Sequence, residues 1–291
     1  MSATRNFRCN AALGAVFCAV LWLLPAVVRA SDPDDVVRFR AGKSCVKCDL
    51  RYMHAPNMKF KDADIRGAYM FNINLSGARI AGTQMQSVNL EEANLERADL
   101  SNTRLDRAVL NAANLSGATM IGATLDQVVA NKANFDAADL SNADLTTADL
   151  RSSSFIFAFA EEANFMSADL RDTNFTKARL GGAQLMNANL TRANFSAARL
   201  LAVDMRRANL SFSNLTASDL SYSNLTGAVL RGANLKGANL TGVNLSNADL
   251  QGADFTGAEM GSTLLEGAVA CNAKMPKGMV VPPALLAQCE E

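Results

Sequence analysis

The chain is short of the residues that do chemistry. Among its 291 residues there is one His, His54. A single imidazole allows no His-rich metal set, no nucleophile–His motif is evident around it, and there is no glycine-rich phosphate loop. We therefore expect no catalytic residue, no metal and no cofactor. Neither sign of charge is in excess, since 28 Lys plus Arg stand against 28 Asp plus Glu. That balance gives no strong field toward nucleic acid or an acidic membrane. Long apolar runs are scarce too. One spans Ala11 to Leu24, shorter than the roughly 20 residues that a membrane-spanning helix needs.

That run has the setting of a processing segment. Arg5 and Arg8 precede it, Pro25 breaks it, and Val28-Arg29-Ala30 places small residues where a signal peptidase reads them. We read residues 1–30 as a secretory signal peptide cut after Ala30, leaving a periplasmic or secreted chain with no membrane attachment. An uncleaved anchor is the alternative. The cut reduces six Cys to four, namely Cys45, Cys48, Cys271 and Cys289. Four Cys in an exported chain point to disulfides.

What the chain has in abundance is a period of five. Ala93-Asn94-Leu95, Ala98-Asp99-Leu100, Ala138-Asp139-Leu140, Ala163-Asn164-Phe165, Ala233-Asn234-Leu235 and Ala248-Asp249-Leu250 are instances of one pattern. From residue 60 to 270, every position divisible by five is Leu, Phe, Met or Ile, except Ala130, Ala160 and Ala270. A helix cannot use this spacing. At about 100° per residue, successive large residues fall about 140° apart and scatter around the cylinder. In extended chain Ala93 and Leu95 share a face and Asn94 takes the other. The two residues left over, such as Ser116-Gly117 or Lys236-Gly237, are turn chemistry. Each pentad is thus a three-residue strand and a corner. Corners that keep turning the same way wind into a solenoid with Ala and Leu on the axis.

These residues resemble the pentapeptide-repeat family, A(D/N)LXX. The resemblance implies an all-β, right-handed quadrilateral β-helix with four pentads per coil, and about eleven coils at about 4.8 Å make a rod of about 50 Å. We expect the coil over residues 58–270, an N-terminal cap over 31–57 and a C-terminal cap over 271–291. Ala130 and Ala160 each lack a large side chain, which predicts a cavity or a compensating neighbour.

On a rod of that length the N-terminal and C-terminal Cys are too far apart to pair, because a disulfide holds Cα atoms within about 7 Å. Cys45–Cys48 and Cys271–Cys289 are then the pairings open to one chain. The start Cys45-Val46-Lys47-Cys48-Asp49-Leu50 and the end Cys271-Asn272, Met275-Pro276-Lys277-Gly278 and Cys289 look like the termini of exported members of the family, which favours the second pairing. For the first, a disulfide and an unpaired, buried Cys48 beside Cys45 both stay open. Haem attachment would need His where Asp49 stands. A zinc site recruiting His54 lacks a fourth ligand. A thiol-redox pair normally opens a helix in an α/β fold, which is not the context here.

One segment breaks the outward polar rule. Phe155-Ile156-Phe157-Ala158-Phe159-Ala160 puts Ile156, Phe157 and Phe159 at outward or corner positions, with Ile121 and Leu201 on the wall of Phe159 and Met166 and Met186 stacked on the next. This makes Ile156, Phe157, Phe159, Met166 and Met186 a candidate protein-binding patch. The competing reading folds Phe157 or Phe159 inward to fill the space beside Ala160. Arg179, Arg199, Arg206 and Arg207 form a basic strip that Asp172 and Asp204 would balance. The function expected is a non-catalytic exported scaffold or protein-binding rod. Two alternatives are a DNA-mimic topoisomerase inhibitor, as in the family's quinolone-resistance members, and a thiol-redox protein using Cys45 and Cys48.

Overall fold

The computed structural model describes residues 31–279 together with Leu285 and Cys289. The expected signal peptide lies outside the described residues, and so does most of the expected C-terminal cap beyond residue 279. The described chain opens with one helix, α1, Pro33–Arg40. Its start is written in sequence. The Asp32 carboxylate accepts the N–H groups of Asp34 at 2.9 Å and Asp35 at 3.3 Å. Pro33 fills a position that needs no donor, Asp34 and Asp35 meet the positive end, and Arg38 and Arg40 meet the negative end.

From Cys45 onward the backbone repeats every five residues as two turn residues and one bridging residue. The bridges are parallel and join residues twenty apart, from Asp49–Tyr69 to Asp254–Lys274. Four ladders of bridges start at Asp49, His54, Lys59 and Asp64, and they define four walls. Leu95 N–H donates to the Asn114 carbonyl at 2.7 Å, and Asn114 N–H returns the bond to the Ala93 carbonyl at 2.8 Å. Each wall is one bridging residue wide, narrower than the three-residue strand expected. The corners use the rest of the pentad.

The corners are tight. Ala98 N–H bonds back to the Leu95 carbonyl at 3.0 Å, and Arg97 between them has φ 53°. A positive φ at the second central residue is the signature of a type II turn. Gly117 and Gly237 meet it at no steric cost, while Arg97 bears a strain of about 1–2 kcal/mol. Asx side chains support the turn. Asn94 Oδ1, for example, accepts the Glu96 N–H at 3.0 Å.

The inward positions are those read from sequence. Leu95, Leu115 and Leu210 are fully buried. Where Ser or Thr replaces the inward Ala, the hydroxyl usually donates to a nearby carbonyl, as Thr103 does to Leu100 at 2.7 Å, whereas the buried Ser213 hydroxyl has no partner among the described residues. Phe135, Phe155, Phe175 and Phe195 stack in one column, with ring centroids 4.7, 4.6 and 4.9 Å apart. Phe165 meets Phe155 and Phe175 edge-on. This column runs through the coils that contain Ala130 and Ala160, both of which are fully buried.

Both coil boundaries differ from the expected ones. The rhythm begins at Cys45, ahead of residue 58, because Met53 and Ala55-Pro56 occupy regular positions despite their sequence. It also continues past 270 to Lys274. The first coil is closed by α1. Asp32 N–H donates to the Asp49 carbonyl at 3.0 Å, an Asp35 carboxylate oxygen accepts the Asp49 N–H at 2.9 Å, and buried Phe39 packs edge-on to Phe60.

Candidate functional site

Ile156 and Phe157 form the turn after the bridging residue Ser154, at the corner between the His54 and Lys59 walls, and Phe159 is the next bridging residue. Phe155 and Ala160 on either side point inward and are fully buried. Phe157 is 53% exposed and Phe159 39%, so neither fills the axis. The inward-folding alternative is thereby overturned. Phe157 has φ 57°, the ordinary conformation of its turn position, and that turn keeps its side chain outward. Ser154 cannot give the usual Asx support, so Asp136 from the coil below accepts both the Ser154 hydroxyl, at 2.5 Å, and the Ile156 N–H, at 2.9 Å.

The two rings are flanked by cations from the coil above. Lys177 Nζ stands 5.3 Å from the Phe157 ring centroid, and the Arg179 guanidinium lies 5.3 Å from that of Phe159. Arg179 is held in turn by Glu161 at 2.7 Å. Lys177 and Glu161 were missed in the sequence reading, though the twenty-residue stacking rule places Lys177 directly over Phe157.

The five-residue patch does not hold together. Met166 and Met186 are turn residues at the corner between the Asp64 and Asp49 walls, diagonally across the section from Phe157. Both are half-buried. Ile121 and Leu201 lie on the corner that follows the Phe159 wall and are exposed. The patch reduces to Ile156, Phe157 and Phe159.

The basic strip also resolves differently. Asp204 pairs with Arg206 at 2.6 Å, and that hydrogen-bonded guanidinium holds the Asp204 carboxyl below its ordinary range. Asp172 pairs with Arg192 at 2.6 Å, on another corner. The carboxylate serving Arg179 is Glu161, while Arg199 makes no ion pair among the described residues. Two further exposed aromatics, Phe212 and Tyr222, were not singled out from sequence. Their rings lie over Gly232 and Gly242 of the next coil, where an added Cβ would meet ring carbon at 2.8 Å in each case. An aromatic at the second turn position with Gly twenty residues later is the sequence signal for this arrangement.

Cys45–Cys48 and Cys271–Cys289 are both disulfides, with Cα atoms 5.3 and 5.4 Å apart. Cys45 and Cys48 are 0% and 2% exposed. Asp35 lies near them, its carboxylate and the two sulfurs falling within 4.8 Å of one another. Sulfurs joined in a disulfide are not thiolate ligands. His54 stands apart from this cluster, exposed, with Nδ1 3.2 Å from the Asn74 amide. No described helix is long and apolar enough to cross a membrane.

The chain matches the profile described as pentapeptide repeats repeatedly, over residues 59–97, 93–129, 131–165, 168–210, 183–221, 208–247 and 223–261. It belongs to the pentapeptide-repeat family, and its quadrilateral coil is that family's β-helix. No curated protein sequence matches it. Among solved structures it is similar to HetL, a pentapeptide-repeat protein involved in heterocyst differentiation regulation from the cyanobacterium Nostoc sp. PCC 7120, at 24% identity over 87% of this chain and 100% of that one, with TM-score 0.39. It is similar to Rfr23 from the cyanobacterium Cyanothece 51142 at 40% identity over 33% of this chain and 63% of that one, with TM-score 0.26. It is also similar to QnrB1, a plasmid-mediated fluoroquinolone resistance protein, at 21% identity over 74% and 92% of the two chains, with TM-score 0.24. Superpositions this loose carry no functional meaning.

Proposed function

We propose that this protein is a non-catalytic, exported pentapeptide-repeat rod that holds a protein partner against the corner formed by Ile156, Phe157 and Phe159. The observation that carries this reading is the pair of phenyl rings left in solvent on one corner of an otherwise polar wall. Exposed aromatics grouped beside cations are what buried interface centres are made from. Export is supported by the character of residues 1–30 and by a disulfide at each end of the described coil.

The redox alternative is disfavoured by access. A thiolate must reach a sulfur to exchange with it, and both N-terminal sulfurs are buried under α1. DNA mimicry needs a long acidic surface, whereas Asp49, Asp64, Asp149, Asp169 and Asp204 are each ion-paired with an Arg two residues on. The test is affinity capture from the exported fraction with the wild-type chain and the Phe157→Ser, Phe159→Ser double variant. Loss of the captured partner supports the corner, and unchanged capture removes it. Mass spectrometry of the exported protein tests the processing: a mature N-terminus at Ser31 is expected.

A further inference from the structure

Just above the aromatic corner the wall has a notch. Arg179, Arg199 and Asp219 are successive bridging residues above Phe159, and the corner beside them runs Glu161, Gly181, Leu201. These six residues other than Phe159 line a groove of about 350 Å³. The notch exists because Gly181 has no side chain. A Cβ built there would have Leu201 O at 3.8 Å and Glu161 Cγ at 4.0 Å, so the space is open rather than strained. Gly181 is not one of the positive-φ glycines, so the backbone does not require glycine at this position. Leu201, 47% exposed, forms one side of the notch.

The charges in the groove are of two kinds. Arg179 is occupied, bonded to Glu161 at 2.7 Å and lying over the Phe159 ring. Arg199 is exposed and has no carboxylate within ion-pair distance among the described residues, although Asp219 is its neighbour on the ladder. Asp219 is turned to other donors, namely the Ser221 N–H at 3.1 Å, the Ser221 hydroxyl at 2.7 Å and the Asn239 amide at 3.1 Å. A guanidinium offers a planar fork that matches a carboxylate in two bonds. Beside it sit an apolar wall and a vacant side-chain position.

We propose that this groove takes the carboxylate end of a peptide whose last residue is apolar, with the carboxylate on Arg199 and the side chain in the Gly181 notch against Leu201. The proposal rests on the protein-binding reading above and names the chemistry of the partner. Glu161 and Asp219 at the two ends of the groove repel a doubly charged anion, so a singly charged carboxylate is favoured over phosphate.

The probe is the acetylated pentapeptide Gly-Ser-Gly-Ser-Leu with a free carboxylate, titrated into the 15N-labelled protein and read by amide shifts. Saturating shifts at Gly181, Arg199 and Leu201 are expected. Affinity should fall at least tenfold for the same peptide amidated at its C-terminus, and equally for Arg199→Gln. Arg107→Gln, which alters another exposed Arg without an ion pair among the described residues, should bind as the parent does. Shifts absent at millimolar peptide, shifts equal for acid and amide, binding retained in Arg199→Gln, or an equal response to inorganic phosphate would each overturn the proposal. The two readings fail separately. An inert peptide with capture still lost in the Phe157→Ser, Phe159→Ser variant sinks the groove alone, whereas a binding peptide with capture unchanged sinks the corner alone.

Discussion

The middle of the coil and its two ends obey different rules. In the middle every coil has a neighbour above and below, so backbone bonds and buried side chains are supplied by repetition. Phe155 is flanked by Phe135 and Phe175 in the same column and needs no special device. At the ends that supply stops. The N-terminal end takes its missing partners from α1, Asp32 and Asp35, and is stapled by Cys45–Cys48. The C-terminal end takes a bond from Ala270 N–H to the Leu285 carbonyl, 2.9 Å, and the Cys271–Cys289 staple. Met260 and Leu265 there are only partly buried. A solenoid is a chain of nearest-neighbour contacts, so its ends are where stability must be added by hand.

The comparison can be broken most forcefully in the middle. Phe155→Ala removes the centre of the stacked column and should cost about 3–5 kcal/mol in denaturant unfolding. The outward Phe157→Ser, Phe159→Ser pair, only residues away, should change stability by about 0.5 kcal/mol or less while abolishing capture. Equal costs for the two would mean that the inward and outward assignments are wrong.

At the C-terminal end, Cys271→Ser with Cys289→Ser opens a loop of 18 residues, and the chain-entropy model assigns such a closure about 3 kcal/mol. The loss should be local. Hydrogen exchange should quicken around residues 255–275 and leave 135–195 protected. The Cys45–Cys48 loop spans only 3 residues, so its loss should matter less.

The smallest effect concerns acid. Asp254, on the last bridged coil, has its carboxyl pushed down to about 2 from the ordinary 3.8, chiefly by the Thr256 hydroxyl, then by the Thr256 N–H and Lys236. A carboxyl whose folded pKa is depressed adds stability that is present above its unfolded value and is lost as pH falls through its folded value. The small contribution of Asp254 to the C-terminal coil should therefore begin to fall below about pH 4 and be gone only below about pH 2. The Asp254 side-chain NMR titration checks this, and a midpoint near 3.8 would remove the effect.

Much of this molecule was legible because its core code is one-dimensional. The phase of five places Leu95, Leu115 and Leu210 inside without reference to anything distant. What escaped depends on geometry that the phase does not carry. Met166 and Met186 were placed beside Phe159, yet they are turn residues, and one more corner carries them to the far side. The Arg179 partner is Glu161, on the coil below, and not the nearest Asp in sequence. The coil start at Cys45 was hidden because Met53 and Ala55-Pro56 look irregular while their backbone follows the rule. The orientation of Phe157 was undecidable from composition, since either facing would bury or expose the same ring. The φ of its turn position decides it.

The central claim is that residues twenty apart are neighbours on a ladder. Amide nuclear Overhauser spectra measure this most directly. Contacts linking Asn94 to Asn114 and Asn114 to Asn134, repeated along all four walls, are the predicted result. Contacts at another spacing, or the i to i+3 pattern of helix across residues 90–140, would contradict it.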